Sequence, residues 1–301
     1  MSVDADLATR DVVLVTLDSC RYDTARGAHL PALSALGPLQ RAESPGTFTL
    51  PAHAAMFTGF LPRPVEGHFE IGGQRLGSIW RSAAARARPL DGGIAFRAPS
   101  LMDHYADQSY RVLGAGGVTF FDPTNPCNSL PTRFSEFRYF GRDAASPADA
   151  ATRVVDREAS LTLAHVDELA QACLQARRFF CFINCPCTHI PYTSPAAVLT
   201  EETTTLLERL YHLHDAKTPH PEHRPPLEAT ETATLRDMQR CSLEWADARL
   251  GRLFDHLAHR RPLVVVCSDH GEEFGEDGRY GHGHPHPTVT TVPLWCGLLD
   301  R

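Results

Sequence analysis

The sequence has no excess of basic residues. Its 36 Asp and Glu residues outnumber its 29 Lys and Arg residues, which gives a formal net charge of -7. Nonspecific binding to nucleic acid or to an acidic membrane surface requires a basic face, because both partners present negative charge. The charge balance therefore argues against these two classes of partner, while it leaves room for a local pocket that binds a small anion.

Long hydrophobic runs are also missing. The apolar run nearest the N-terminus, residues 12–17, is too short for the core of a signal peptide or for a membrane span. No other stretch approaches the length of a membrane-spanning helix, so we expect no membrane partner.

A regular cysteine framework is absent. The nine cysteines are odd in number and scattered, and Cys185 and Cys187 form the only close pair, so no zinc-ribbon spacing is completed. This usage favours reduced, mostly buried thiols and predicts a cytoplasmic location.

What the sequence does contain is an alternation of apolar strands and amphipathic helices. Its 301 residues are 43% hydrophobic, which is sufficient for a substantial core. Short apolar runs predict strands at 12–17, 111–114, 179–184 and 263–267, and helical periodicity predicts long helices at 149–178 and 232–258. We therefore predict one α/β domain over residues 1–301, with a central, mostly parallel sheet flanked by helices on both faces. The polar, Pro-rich segment 193–230 is expected to be an insertion or a lid.

Three predicted strands end in polar residues, and in sheets of this kind sites form at the carboxyl ends of the strands. Asp18 ends the first strand, and Asp269 and His270 leave the last one side by side, with Gly271 permitting a sharp turn. Together these three side chains are suited to a divalent ion. The alternative is a helix cap with surface acids in a turn.

Several histidines lie near these strand ends. His189 follows the strand at 179–184, and the segment "GHGHPHP" contributes His282, His284 and His286. We expect His189 to act on substrate, although a lone histidine is usually structural. For the other three, a second metal ion or a phosphoryl-binding group competes with a disordered histidine-rich loop.

The segment "SPGTFTLPAHAAMFTGFLP" begins a predicted helix, with Thr49 two residues before Pro51. Thr49 is suited to cap this helix. It is also suited to act as a nucleophile, since coordination to a metal lowers the pKa of a hydroxyl and a helix N-terminus stabilises an anion. The two interpretations are compatible.

The motifs occur in a recognisable order: "VVLVTLDSCRYD", "TFTLPAHAAMFTGFLP", "THIPY", "EWADARLGRLFDHL" and "VVVCSDHGEEFGEDG". Over nearly the whole chain this order resembles the sulfatase-like hydrolases of the alkaline phosphatase superfamily, and in particular a bacterial subgroup of sulfatase-like metalloenzymes. The resemblance implies an alkaline-phosphatase-like fold and a metal-dependent enzyme acting on ester bonds.

The resemblance also implies roles for individual residues. Asp18, Asp269 and His270 match metal ligands, and Thr49 matches the nucleophile, which is able to enter the coordination sphere. His189 matches a histidine that contacts substrate or protonates the leaving group. His282 falls near a Lys or His that contacts the anion, and we expect His53 and His284 to contact substrate as well.

The departures from the family pattern narrow the chemistry. True sulfatases have C-x-P-S/A-R and convert the Cys, or a Ser, to formylglycine, whereas this chain has Thr49 and ends the motif with His53. No formylglycine is therefore expected. His270 in place of Asn moves the preferred ion from Ca²⁺ toward Zn²⁺ or Mn²⁺, with Zn²⁺ favoured.

These features predict a metal-dependent hydrolase or transferase of a phosphoester, phosphodiester or phosphonate that uses a Thr nucleophile. Its partner is expected to be a small anionic ester substrate or a modified peptide. Two alternatives remain open: a sulfatase-like enzyme acting on another anion without formylglycine, and a family member that binds an anion or peptide without catalysis.

Overall fold

The computed structural model describes residues 9–59, 80–82, 94–96, 99–125, 128, 130–141, 160–192, 194–197, 199–214 and 226–299. Its strands are β1 (Val12–Leu17), β2 (Gln40–Glu43), β3 (Trp80–Ser82), β4 (Ile94–Phe96), β5 (Arg111–Gly116), β6 (Glu136–Tyr139), β7 (Phe179–Cys185), β8 (Leu263–Ser268), β9 (Glu273–Phe274), β10 (Tyr280–Gly281) and β11 (Thr291–Leu298). Its α-helices are α1 (Tyr22–Gly27), α2 (Pro31–Leu36), α3 (Thr49–Thr58), α4 (Leu101–Asp107), α5 (Val166–Leu174), α6 (Glu201–His214), α7 (Ala229–Leu257) and α8 (Pro287–Thr290).

Seven of these strands form one sheet in the order β2-β11-β8-β1-β7-β5-β6. β1 pairs in parallel with both β7 and β8, and β5 continues the parallel arrangement to β6, whereas β11 runs antiparallel to β8 and β2. The predicted mostly parallel sheet is confirmed. Because β1, β7 and β8 are in register, their carboxyl ends meet at one edge, where residues 18, 185 and 268 come together.

Helices cover both faces of the sheet, as the sequence predicts. Alternate β1 side chains point to opposite faces. On one face, Val13, Val15 and Leu17 lie in a core with apolar residues of α2, α5 and α7. On the other face, Val12 and Leu14 pack in a second core with residues of α3 and α4. Burial on two sides explains why β1 is hydrophobic at every position except Thr16.

The helix predicted at 149–178 is observed only in part. A 3₁₀ turn, Thr162–His165, leads into α5, and residues 142–159 lie outside the described residues. The segment predicted as an insertion or lid contains the 14-residue helix α6, whose buried leucines pack against Tyr192, Phe274 and Tyr280. Its role as a lid stays a prediction.

Two further features of the described residues concern the cysteines and the lengths of the helices. All eight described cysteines are free thiols, and five of them are buried. In the part of the chain that the structure describes, no helix has the length and apolar character needed to cross a membrane.

Candidate active site

The end of β1 is fixed by hydrogen bonds that orient Asp18. This residue is fully buried, and the next residue, Ser19, adopts a left-handed conformation with φ of 59°, which is uncommon for a residue other than glycine. The turn directs the Ser19 N–H to Asp269 Oδ1 at 3.2 Å. The Thr188 hydroxyl donates to the Asp18 carbonyl at 2.6 Å, and the Gln239 amide of α7 donates to the Ser19 carbonyl at 3.0 Å.

The end of β8 brings Asp269 and His270 against Asp18. The imidazole of His270 donates through Nδ1 to the carbonyl of Gly271 at 2.9 Å, which assigns the lone pair to Nε2. That nitrogen lies 3.5 Å from Asp18 Oδ1 and 3.6 Å from Asp269 Oδ2. Two carboxylates and an imidazole lone pair therefore converge on one point.

The charges at this point fit a bound cation. Asp269 Oδ2 and His270 Nε2 are buried and have no hydrogen-bond partner, a costly arrangement for polar atoms. Burial, reinforced by the charge of Asp18, raises the pKa of Asp269 well above its usual range. Within the described residues, the ion pairs of Asp18 and Asp269 involve only histidines.

The geometry is compatible with a metal ion as well. One ligand atom from each of Asp18, Asp269 and His270 lies within 4.8 Å of the others. A set of two carboxylates and one imidazole suits Zn²⁺ or Mn²⁺. The three residues therefore fit a divalent cation.

Thr49 is brought to the same place by α3. It is the first residue of this helix and 2% exposed, and its hydroxyl donates to Asp18 Oδ2 at 3.3 Å. The prediction that Thr49 caps the helix is corrected here, because the N-cap residue is Phe48, which provides no side-chain cap. The hydroxyl is thus directed at the carboxylate cluster instead of the helix backbone.

His189 and His282 lie beside the cluster. Their ring centroids are 5.3 Å apart, and the His282 ring lies 4.3 Å from that of His270. Burial lowers the pKa of His189, but the carboxylates of Asp18 and Glu272 outweigh burial and raise it overall. Burial and the two neighbouring histidines lower the pKa of His282 well below its usual range.

His53 lies beneath Thr49. It is fully buried, its Nδ1 donates to the Thr49 carbonyl at 2.8 Å, and its Nε2 accepts from the Thr16 hydroxyl at 2.9 Å. Burial lowers the pKa of His53 to about 4. Because protein atoms occupy both ring nitrogens, the geometry favours a role in holding α3 over direct contact with a substrate, which stays a prediction.

His284 and His286 contact Glu273. The Nε2 atom of His284 lies against the Glu273 carboxylate, and the Nδ1 atom of His286 is 3.3 Å from it. His286 also caps α8, since its Nδ1 accepts the N–H of Thr288 at 3.2 Å. These contacts hold the histidine segment in place, and the predicted contact between His284 and a substrate stays a prediction.

Gly271 is required by crowding. Its N–H donates to the Val289 carbonyl at 2.7 Å, and a Cβ at this position would lie 2.0 Å from the carbonyl oxygen of Thr288. The sequence predicts a glycine needed for a sharp turn. The structure shows that close backbone approach is the constraint.

Comparison with known proteins identifies the family of this chain. The profile of the Sulfatase family matches residues 10–294, and the chain therefore belongs to the Sulfatase family. Membership places the chain among enzymes that act on ester bonds. Among curated proteins, none matches the sequence significantly.

Solved structures with the same fold are only distantly related in sequence. The C-terminal periplasmic domain of EcEptC from Escherichia coli, in complex with Zn, is 16% identical over 96% of this chain and 73% of that one, with a TM-score of 0.58. Phosphonate monoester hydrolase of Agrobacterium radiobacter is 17% identical over 95% and 68%, with a TM-score of 0.60. The soluble domain of lipooligosaccharide phosphoethanolamine transferase A from Neisseria meningitidis is 16% identical over 97% and 80%, with a TM-score of 0.54.

At these identities the likeness establishes the alkaline-phosphatase-like α/β fold. A cytoplasmic location for this chain stays a prediction, and the E. coli domain just named is periplasmic.

Sequence reasoning overlooked two residues near the site. Glu272 is fully buried and contacts His282, and Thr16 is buried and contacts His53. A charged residue directly after the Asp-His-Gly turn is the feature of the sequence that indicates Glu272. Thr16 lies inside an apolar strand, where a hydroxyl needs a buried partner.

Proposed function

We propose that this protein is a metal-dependent hydrolase or transferase of a phosphoester, phosphodiester or phosphonate, with Thr49 as the nucleophile. The observation that carries the proposal is the buried Thr49 hydroxyl, 3.3 Å from an Asp18 oxygen and beside the Asp269 and His270 atoms that lack hydrogen-bond partners. Two of the structural relatives support the substrate class, since one is named a phosphonate monoester hydrolase and another a phosphoethanolamine transferase.

Asp18, Asp269 and His270 would hold the metal, with Thr49 able to join them. A divalent cation bound there supplies positive charge, which favours both a deprotonated hydroxyl and an anionic substrate. After the Thr49 hydroxyl releases its proton to solvent, Oγ would form a bond to phosphorus as the bond from phosphorus to the departing oxygen breaks. The N-terminus of α3 faces the anion, because α3 begins at Thr49 and has no side-chain cap. Water, or an acceptor hydroxyl in a transferase, then releases the group from Thr49.

His189 protonates the departing oxygen in this proposal. Its Nδ1 donates to the Ile190 carbonyl at 2.6 Å, which leaves Nε2 as the atom that carries the transferred proton. The raised pKa of His189 suits a general acid at neutral pH. His282, beside it, steadies a nonbridging oxygen.

Substitution of Thr49 tests the proposal. Purified protein of known metal content is assayed with para-nitrophenyl phosphate, bis(para-nitrophenyl) phosphate, para-nitrophenyl phenylphosphonate and para-nitrophenyl sulfate. We expect Thr49→Ala to lose at least about a hundredfold in rate and Thr49→Ser to retain part of the activity. Thr58→Ala is the matched control, since Thr58 ends the same helix and bonds only to the Ala54 carbonyl at 2.7 Å among its described contacts.

Mass spectrometry of quenched enzyme is expected to detect a phosphoryl or phosphonyl adduct on Thr49. Near-wild-type turnover by Thr49→Ala would refute the nucleophile and leave water as the attacking group. Hydrolysis of the sulfate ester alone would favour the sulfatase alternative. No turnover of any ester, with metal bound, would favour a binding role.

A further inference from the structure

Glu272 is a buried carboxylate with an unusual choice of partner. Its side chain is fully buried, and its two oxygens lie 3.1 and 3.3 Å from Nδ1 of His282. The nearby guanidinium of Arg21 contacts the main-chain carbonyl of Glu272 at 2.7 Å and forms ion pairs with Asp23 and Glu276. The carboxylate therefore faces an imidazole where a buried acid ordinarily faces Arg or Lys.

The backbone explains why these two residues meet. β9 and β10 form an antiparallel hairpin in which Gly281 is opposite Glu273. One further step along both strands brings His282 opposite Glu272. The loop is anchored by the Gly283 N–H, which donates to the Thr47 carbonyl at 2.8 Å, two residues before Thr49.

A carboxylate can only accept a hydrogen bond, so the contact assigns a proton to Nδ1 of His282. We infer that Glu272 is the positioning residue of His282. It fixes the ring so that Nε2, the nitrogen not held by Glu272, serves the site shared with His189 and His270. This inference rests on the proposed function, because the contact between His282 and substrate belongs to it.

The adjacent glutamate provides an internal comparison. Glu273 is equally buried, yet it contacts His284 and His286. Consecutive side chains of an extended segment point in opposite directions. Two neighbouring acids thus hold different histidines of one loop, and only Glu272 holds a histidine that lies beside the metal ligands.

The tautomer of the His282 ring, meaning which ring nitrogen carries the proton, can be measured without a substrate. Long-range ¹H–¹⁵N spectra of the zinc-loaded protein, with ¹⁵N-labelled histidine, report which ring nitrogen carries the proton, and His282→Gln assigns the resonances. We expect His282 to be protonated at Nδ1 in the wild type. Glu272→Gln is expected to shift its population toward the Nε2–H form, whereas Glu273→Gln leaves the His282 resonances unchanged.

A wild-type His282 protonated only at Nε2 would overturn the inference, and that result needs no variant to fold. It would also be overturned if Glu273→Gln, and not Glu272→Gln, changed the His282 form. Thr49→Ala abolishes turnover under the proposed function but leaves these resonances in place, so failure of one idea is distinguishable from failure of the other.

A double-mutant cycle separates positioning from general structural support. Glu272→Gln is expected to lower kcat/KM by about ten- to a hundredfold, by analogy with removal of the carboxylate that orients a metal-bound histidine. In a His282→Gln background the same change is expected to cost less than about twofold, because its effect passes through His282. An equal cost in both backgrounds would show that Glu272 acts independently and would refute the inference.

Discussion

The two ends of β1 carry buried aspartates in opposite circumstances. Asp11, just before the strand, accepts the Phe179 N–H at 2.8 Å and forms an ion pair with Arg260 at 2.7 Å. Asp18, just after it, accepts two hydroxyl groups at 3.3 Å and otherwise faces histidines and the second carboxylate, Asp269. Asp11 is compensated by a guanidinium, whereas burial raises the pKa of Asp18 and the positive charge of nearby histidines outweighs burial and lowers it.

This difference assigns Asp11 to the stability of the fold and Asp18 to the candidate active site. A buried acid with a basic partner and a backbone donor is a structural element, and its removal leaves the partner unsatisfied. A buried pair of acids without such a partner costs folding free energy unless a cation compensates for it. Within the described residues, the sheet thus places this pair of acids at its carboxyl edge, where Thr49 also lies.

The largest effect is expected when a carboxylate is removed at the end of the sheet that carries Asp18 and Asp269. We expect Asp269→Ala to lose its bound metal and at least about a hundredfold in rate while the protein stays folded. Metal content by elemental mass spectrometry and circular dichroism check the two parts. Retention of stoichiometric metal would show that the ligand assignment is wrong.

A substitution at the opposite edge of the sheet is expected to change the stability of the fold but not metal binding or activity. Asp11→Asn removes the charge that faces Arg260, so we expect a loss of about 2–4 kcal/mol in the free energy of unfolding. Metal content and the rate per folded molecule are expected to remain unchanged. Chemical denaturation measures the first quantity, and a change in metal stoichiometry would contradict the separation of the two edges.

A third prediction concerns the metal-free protein. Asp269→Asn is expected to stabilise it at neutral pH, by on the order of 1 kcal/mol, because the neutral amide avoids the buried charge. Since burial and Asp18 raise the pKa of Asp269, its carboxyl favours folding below the unfolded value of about 3.9 and loses this contribution as pH rises through the folded pKa. The advantage of the variant is therefore expected to shrink toward pH 4. An advantage independent of pH would contradict this explanation.

The smallest expected effect on stability comes from Asp23, whose charge is balanced by Arg21 and Arg236. Burial raises the pKa of Asp23, but hydrogen bonds and charge from Arg21 and Arg236 outweigh it and lower the pKa to about 2. Stability from this group is present above the unfolded value of about 3.9 and is lost as pH falls from there to about 2. The difference in melting temperature between wild type and Asp23→Asn is expected to vanish over that window. A difference that persists at pH 2 would show that the charge of Asp23 is not responsible.

Much of this arrangement can be predicted from sequence. The runs at 12–17, 179–184 and 263–267 coincide with β1, β7 and β8 to within one residue, because central parallel strands covered on both faces are rich in apolar residues. Parallel pairing then requires Asp18 and Asp269 to meet at one edge. The cluster of Asp18, Asp269 and His270 follows once β1 and β8 lie side by side.

The partners of individual side chains could not be predicted in this way. The contact between Glu272 and His282 depends on the register of a two-residue hairpin, and the position of His53 beneath Thr49 depends on how α3 packs on the sheet. Sequence periodicity indicates which face of a strand or helix a residue occupies, but it does not specify which atom of another element that side chain contacts. Tertiary geometry decides that.

Gly271 has a consequence for how this protein can change over evolutionary time. His270, which we propose as a metal ligand, can be exchanged for another side chain, and the chemistry of the protein then changes. Position 271 has no such freedom, since even a methyl group would collide with the main chain at Thr288. We expect Gly271 to remain unchanged for longer than the neighbouring side chains. In a distant descendant, this glycine would then still indicate common ancestry after the proposed catalytic residues had been lost.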